Sequence, residues 1–161
     1  MSGPRLASIV IAFCIAGSGA ARAEIPCMSD EELFGYLFNV ATISIVTRAG
    51  LCARQFPLLQ PQFDDILAED NSEFERQRAK AAEAFRRADP GKGEAVMNDA
   101  VRDAAAKKGR GQVMLEDDCT AWYGRLAEAK RAGGNYSAVF STRTKADFDA
   151  ARARVPLCAR R

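Results

Sequence analysis

Histidine is absent from all 161 residues of the chain, which removes the commonest general base, proton shuttle and imidazole metal ligand together. Ser-His-Asp and Cys-His catalysis, zincin motifs, c-type haem attachment and Glu-x-x-His di-iron sites all need that residue. Gly91-Lys92-Gly93 lacks the upstream glycine and the following Ser or Thr of a phosphate loop, and neither a Ser-x-x-Lys pair nor a C-x-x-C pair occurs. No catalytic residue, cofactor or metal ligand set is assigned on these grounds, and the chain is expected not to be an enzyme.

Carboxylates are the acid–base groups that remain. Asp64, Asp65, Glu69, Asp70 and Glu73 crowd one segment, and Glu116-Asp117-Asp118 crowd another. On a helix, Asp65, Glu69 and Glu73 stand one turn apart, where a hard cation would find oxygen ligands, but the EF-hand spacing with its central glycine is missing. The simpler reading makes 116–118 the acids favoured at a helix N-terminus and 64–73 a solvated face. A glycosidase-like carboxylate pair is the weakest of these readings.

Cysteine carries more information. Of the five cysteines, Cys14 falls in an N-terminal leader, leaving Cys27, Cys52, Cys119 and Cys158. An even set in an exported chain points to disulfides, and the lack of histidine and of close cysteine pairs argues against zinc. A continuous helix between Cys27 and Cys52 would hold them more than about 30 Å apart, whereas a disulfide needs Cα atoms within about 7 Å. An up-down bundle then favours Cys52–Cys119 with Cys27–Cys158 over the remaining pairing, Cys27–Cys119 with Cys52–Cys158.

The leader itself has three parts in order: Met1–Arg5 with one base, the short apolar stretch Leu6–Gly17, and the small-residue exit Ala21-Arg22-Ala23. Together they predict a secretory signal over residues 1–23, cleaved before Glu24, and a single helical domain over 24–161. Phe13 before Cys14 argues against a lipoprotein site, so no stable membrane anchor is expected. Removing Arg5 and Arg22 takes two of the 23 bases and leaves the rest balancing the 21 acids. A neutral chain has no general electrostatic reason to bind nucleic acid. The charge is polarised all the same: ten acids face only Arg48 and Arg54 in Glu24–Glu75, and the bases dominate beyond. Acidic and basic helices packed side by side would produce that pattern.

The elements that must position these groups follow from period and punctuation. Ser29 and Glu32 form a capping box for a first helix carrying Phe34, Phe38, Ala41, Ile45 and Cys52 on one stripe. Pro57 and Pro61 turn the chain into a second segment, about 62–88, with a restart signal at Asn71-Ser72. A third helix near 94–108 is alanine-rich. A fourth places Leu115, Cys119, Trp122, Leu126 and Ala129 at helical spacing. Trp122 is then expected to pack by a disulfide, with Tyr123 and Tyr136 as the freer aromatics. Asn135–Arg143, which contains the glycosylation-like triplet Asn135-Tyr136-Ser137, is expected to be a polar connector. Thr144 would cap a short last helix that ends before Pro156.

The resulting expectation is an all-α fold: a small helical bundle of four main helices plus a short C-terminal helix, cross-linked by two disulfides. Its expected role is periplasmic or secreted and consists of binding, first to a protein partner in the cell envelope. The alternative is a small-molecule or cation carrier using the acidic segment 64–75, and a carboxylate-based enzyme comes third.

Overall fold

The computed structural model describes residues 25–69, 71–109 and 114–158. Residues 1–23 and Glu24, and with them the leader and Cys14, lie outside that set. Six α-helices occur among the described residues, with no strand: α1 (Asp30–Gln55), α2 (Gln60–Leu67), α3 (Ser72–Ala88), α4 (Gly93–Gly109), α5 (Glu116–Gly133) and α6 (Tyr136–Arg152). A 3₁₀ turn, Pro57–Leu59, joins α1 to α2.

Helix α1 starts where its capping chemistry dictates. The Glu32 amide donates to Ser29 Oγ at 3.3 Å, and the Ser29 amide donates to the Glu32 carboxylate at 2.8 Å. Beyond that start α1 is apolar on more than one side. Leu33, Tyr36 and Val40 pack with Ala81, Phe85, Met97 and Val101 of α3 and α4. Phe38, Ala49 and Cys52 pack with Leu59, Ile66, Cys119, Tyr123, Leu126, Tyr136 and Phe140 of the other elements. Helix α1 is therefore a mast with a core on each flank, as an all-round apolar helix must be in water. By length and composition it would cross a membrane, yet half of its most apolar window is buried within the protein.

One expectation about the elements is met and two need correction. The segment 62–88 restarts at the Asn71-Ser72 signal and is two helices, although Asn71 makes no side-chain capping bond. The supposed connector Asn135–Arg143 is helical: Asn135 Oδ1 accepts from the Ala138 amide at 2.8 Å and starts α6 there. Thr144 consequently caps nothing; it is fully buried in mid-helix and donates to the Phe140 carbonyl at 2.8 Å. Burial of Tyr136 and Phe140 against α1 and α5 outweighs the polar composition of that stretch. Four long helices and a short one thus become six.

Helices α1 and α3 touch at Gly35, where a Cβ would stand 2.5 Å from the Gln77 carbonyl oxygen. The close approach requires glycine. Cys27 is joined to Cys158, Cα–Cα 4.9 Å, fastening the residues before α1 to those after α6. Beside that bridge the Met28 amide donates to the Pro156 carbonyl at 3.0 Å, and Arg152 donates to the Met28 carbonyl at 2.7 Å. Cys52 is joined to Cys119, Cα–Cα 5.7 Å, tying the end of α1 to the first turn of α5. Two such bridges fit an oxidising compartment.

Candidate functional site

A cavity of about 570 Å³ opens between α1, the end of α4, α5 and α6. Helix α1 contributes Ala41, Ile45, Arg48 and Leu51, residues three or four apart and so on one face. Trp122, Arg125 and Leu126 come from α5, Val139 and Arg143 from α6, and Ala105 and Lys108 from α4. Met114, just before α5, completes the apolar part. The Cys52–Cys119 bridge lies one turn from Arg48 along α1 and one turn from Trp122 along α5, so it sets the separation of two of the walls.

The lining is one-signed. Arg48, Lys108, Arg125 and Arg143 are its charged members, and no carboxylate lines it among the described residues. Asp147 lies just outside, ion-paired to Lys108 and 3.6 Å from Arg143. Arg48 and Arg125 make no ion pair among the described residues. The Arg48 guanidinium lies over the Trp122 ring, 5.1 Å from its centroid, a cation–π placement. Its Nε is buried and has no acceptor among the described residues. A buried donor without a partner is unusual enough to need an explanation.

Trp122 packs, as expected, against the cluster that holds Cys52 and Cys119, but the two tyrosines are not the freer aromatics. Tyr123 and Tyr136 are buried, 4% and 3% exposed, while Trp122 is half-buried on the cavity wall. The Tyr123 hydroxyl donates to the Ala49 carbonyl at 2.9 Å, which turns the neighbouring Trp122 towards the cavity. Burial pushes the Tyr123 phenol up to about 12. For Tyr136, burial together with its bond to Asp65 does the same, also to about 12.

The acidic segment is distributed rather than focused. Asp64 accepts from Gln60 at 2.8 Å, and Asp65 accepts from Lys130 at 2.9 Å and from the Tyr136 hydroxyl at 3.0 Å. Glu69 accepts from the Tyr136 amide at 3.0 Å, and Glu73 accepts from Gln77 at 2.6 Å and pairs with Arg76. Hydrogen bonds from Lys130 and Tyr136 hold Asp65 below the usual carboxylate value, and those from Gln77 and Arg76 do so for Glu73. Asp70 lies outside the described residues. No group of three or more potential metal ligands gathers among the described residues. Glu116, Asp117 and Asp118 are exposed in the first turn of α5.

Much of the charge polarity is consumed internally. Glu31 faces Lys80, Glu32 pairs with Arg87, Asp30 with Arg152 and Asp65 with Lys130, in each case an acid of the first half with a base of the second. Arg48 is the counter-example. It is one of only two bases in an acidic stretch, and it has no acid beside it among the described residues. That isolation is the one signal by which the cavity was detectable in the sequence. A second hollow of about 510 Å³ beside Phe34 and Phe148 mixes Asp30, Glu31 and Asp149 with Lys80 and Lys145, so its charges offset one another. No family model, no curated protein and no solved structure matches the chain.

Proposed function

We propose that this chain is a periplasmic or secreted binding protein without catalytic activity, whose ligand is a small molecule held in the cavity between α1, α4, α5 and α6. The observation that carries the reading is that cavity: an apolar wall of Ile45, Met114, Trp122 and Val139 beneath Arg48 and Arg125, which have no counter-ion among the described residues. Its volume is in the range that takes drug-sized ligands, and apolar walls with a few convergent polar groups are the usual make-up of such sites. The absence of histidine and of every standard nucleophile–base motif supports binding over catalysis. The two disulfides, with the leader-like N-terminus, support a location outside the cytosol. A concave site also favours a small molecule over the envelope protein expected from sequence.

Trp122 is the only tryptophan of the chain and lines the cavity, so its emission reports occupancy without a label. Titration with anilinonaphthalene sulfonate, an apolar anion, is expected to quench Trp122 and saturate at one molecule per chain. Val139→Trp, which fills the cavity, is expected to abolish saturation of the probe's own fluorescence while the thermal melt stays cooperative. Unchanged probe binding in Val139→Trp, or no saturable binding in the parent, overturns the reading. Fractionation that leaves the protein in the cytosol overturns its location.

A further inference from the structure

We infer that the ligand of this cavity is a carboxylate amphiphile with a single hydrocarbon body, of the fatty-acid class, its carboxylate on Arg48 and Arg125 and its hydrocarbon against Trp122, Ile45 and Val139. The inference rests on the small-molecule reading above and adds the ligand's chemistry. Sign comes first: the lining holds four bases and no acid among the described residues, so a cation would meet only repulsion. Charge number comes next. Asp147 already engages Lys108 and Arg143, so the uncompensated charge belongs to Arg48 and Arg125, a complement for one anionic head rather than a polyphosphate.

The shape of the head follows from Arg48. Its guanidinium lies over the Trp122 ring, and its Nε is a buried donor with no acceptor among the described residues. A guanidinium edge with Nε and a terminal nitrogen offers two parallel donors, the fork that a planar carboxylate accepts from both oxygens. The body follows from what the wall lacks. Ser44 and Thr47 are the only hydroxyl residues of the lining among the described residues, too few to satisfy a sugar or nucleoside, whose buried hydroxyls would go unpaired. Hydrocarbon asks for no such partners.

Titration calorimetry of the mature chain with dodecanoate, dodecyl phosphate, dodecanol and dodecyltrimethylammonium, each kept below its micelle concentration, separates the possibilities. Dodecanoate is expected to bind at least about tenfold more tightly than dodecanol, as one charge-assisted fork would give, and the ammonium is expected not to bind. Arg48→Gln should remove that advantage, leaving dodecanoate and dodecanol equal. Arg48→Lys should restore only part of it, because a point charge cannot fork. Arg131→Gln, on the exposed side of α5, should change nothing. The thermal melt of each variant shows whether it is folded. Arg48→Gln binding dodecanoate as well as the parent overturns the inference. Dodecanol matching dodecanoate in the parent overturns it too, while leaving the small-molecule reading standing. Tighter binding of dodecyl phosphate overturns the carboxylate. If none of the four binds, the inference falls, while the small-molecule reading stands or falls with the anilinonaphthalene sulfonate titration.

Discussion

The Arg87 guanidinium forks onto the Glu32 carboxylate, joining the last turn of α3 to the first turn of α1 across 55 residues of chain. The same carboxylate accepts from the Ser29 amide, so one group both caps α1 and anchors α3. Arg87 also reaches Cys158 Sγ at 3.5 Å, bringing the bridge between the two chain ends into the cluster. The Glu32 side chain is 11% exposed and that of Arg87 45%. The Arg87 hydrogen bond outweighs the opposing effect of burial and holds the Glu32 carboxyl below its usual 4.5.

A carboxyl with a lowered folded value stabilises the protein fully above 4.5 and loses that contribution as pH falls below it, through the folded value. Glu32→Gln should therefore flatten the acid limb of the stability profile below that pH. At neutral pH it should cost about 1–3 kcal/mol, a range kept low because Arg87 remains half in water. Urea melts across the acid range measure both effects. An acid slope equal to the parent's would show that Glu32 is not the group that titrates.

Contact between α1 and α3 makes a separate demand. Any Cβ at position 35 would meet the Gln77 carbonyl oxygen at 2.5 Å, and that atom belongs to backbone that cannot swing away. Gly35→Ala should push the helices apart and cost about 1–3 kcal/mol, the usual penalty of overpacking, despite the better helix propensity of alanine. Denaturant melts would detect the loss. A gain in stability, the normal result of replacing glycine in an exposed helix, would mean that the two helices do not approach so closely.

What the sequence disclosed was local. The Ser29–Glu32 box, the Asn71-Ser72 break and the Gly133-Gly134 stop involve neighbours along the chain, and Gly134 takes φ 83, where glycine is favoured. The two-sided burial of α1 was not disclosed, because a single stripe through Phe34 and Phe38 accounts for one flank and leaves Tyr36 and Val40 without a purpose. Trp122 and Tyr123 exchanged roles for a related reason: adjacent helical residues point about 100° apart, so a small error in the face reverses which one is buried. The cavity draws its walls from four helices, and no sequence spacing records that.

Burial separates the two disulfides. Cys52 and Cys119 are both fully buried, whereas Cys27 is exposed and Cys158 partly so. Thiol–disulfide exchange needs in-line access to a sulfur, so a mild dithiol should open Cys27–Cys158 first and leave Cys52–Cys119 closed until the fold loosens. Loop entropy alone ranks their contributions to stability the other way. The outer bridge spans 131 residues and the inner one 67, about one doubling, which favours the outer by about 0.6 kcal/mol. Breaking the inner bridge, however, also disturbs sulfurs packed among Phe38, Tyr123 and Leu126. The Cys52→Ala, Cys119→Ala pair should therefore cost the more of the two, within the usual 2–5 kcal/mol. Because that bridge lies one turn from both Arg48 and Trp122, its loss should also weaken binding in the cavity, and loss of the outer bridge should not. Alkylation with mass mapping gives the order of opening, and paired melts and titrations give the rest. A larger stability loss from the Cys27→Ala, Cys158→Ala pair would show that loop closure, not packing, governs these cross-links.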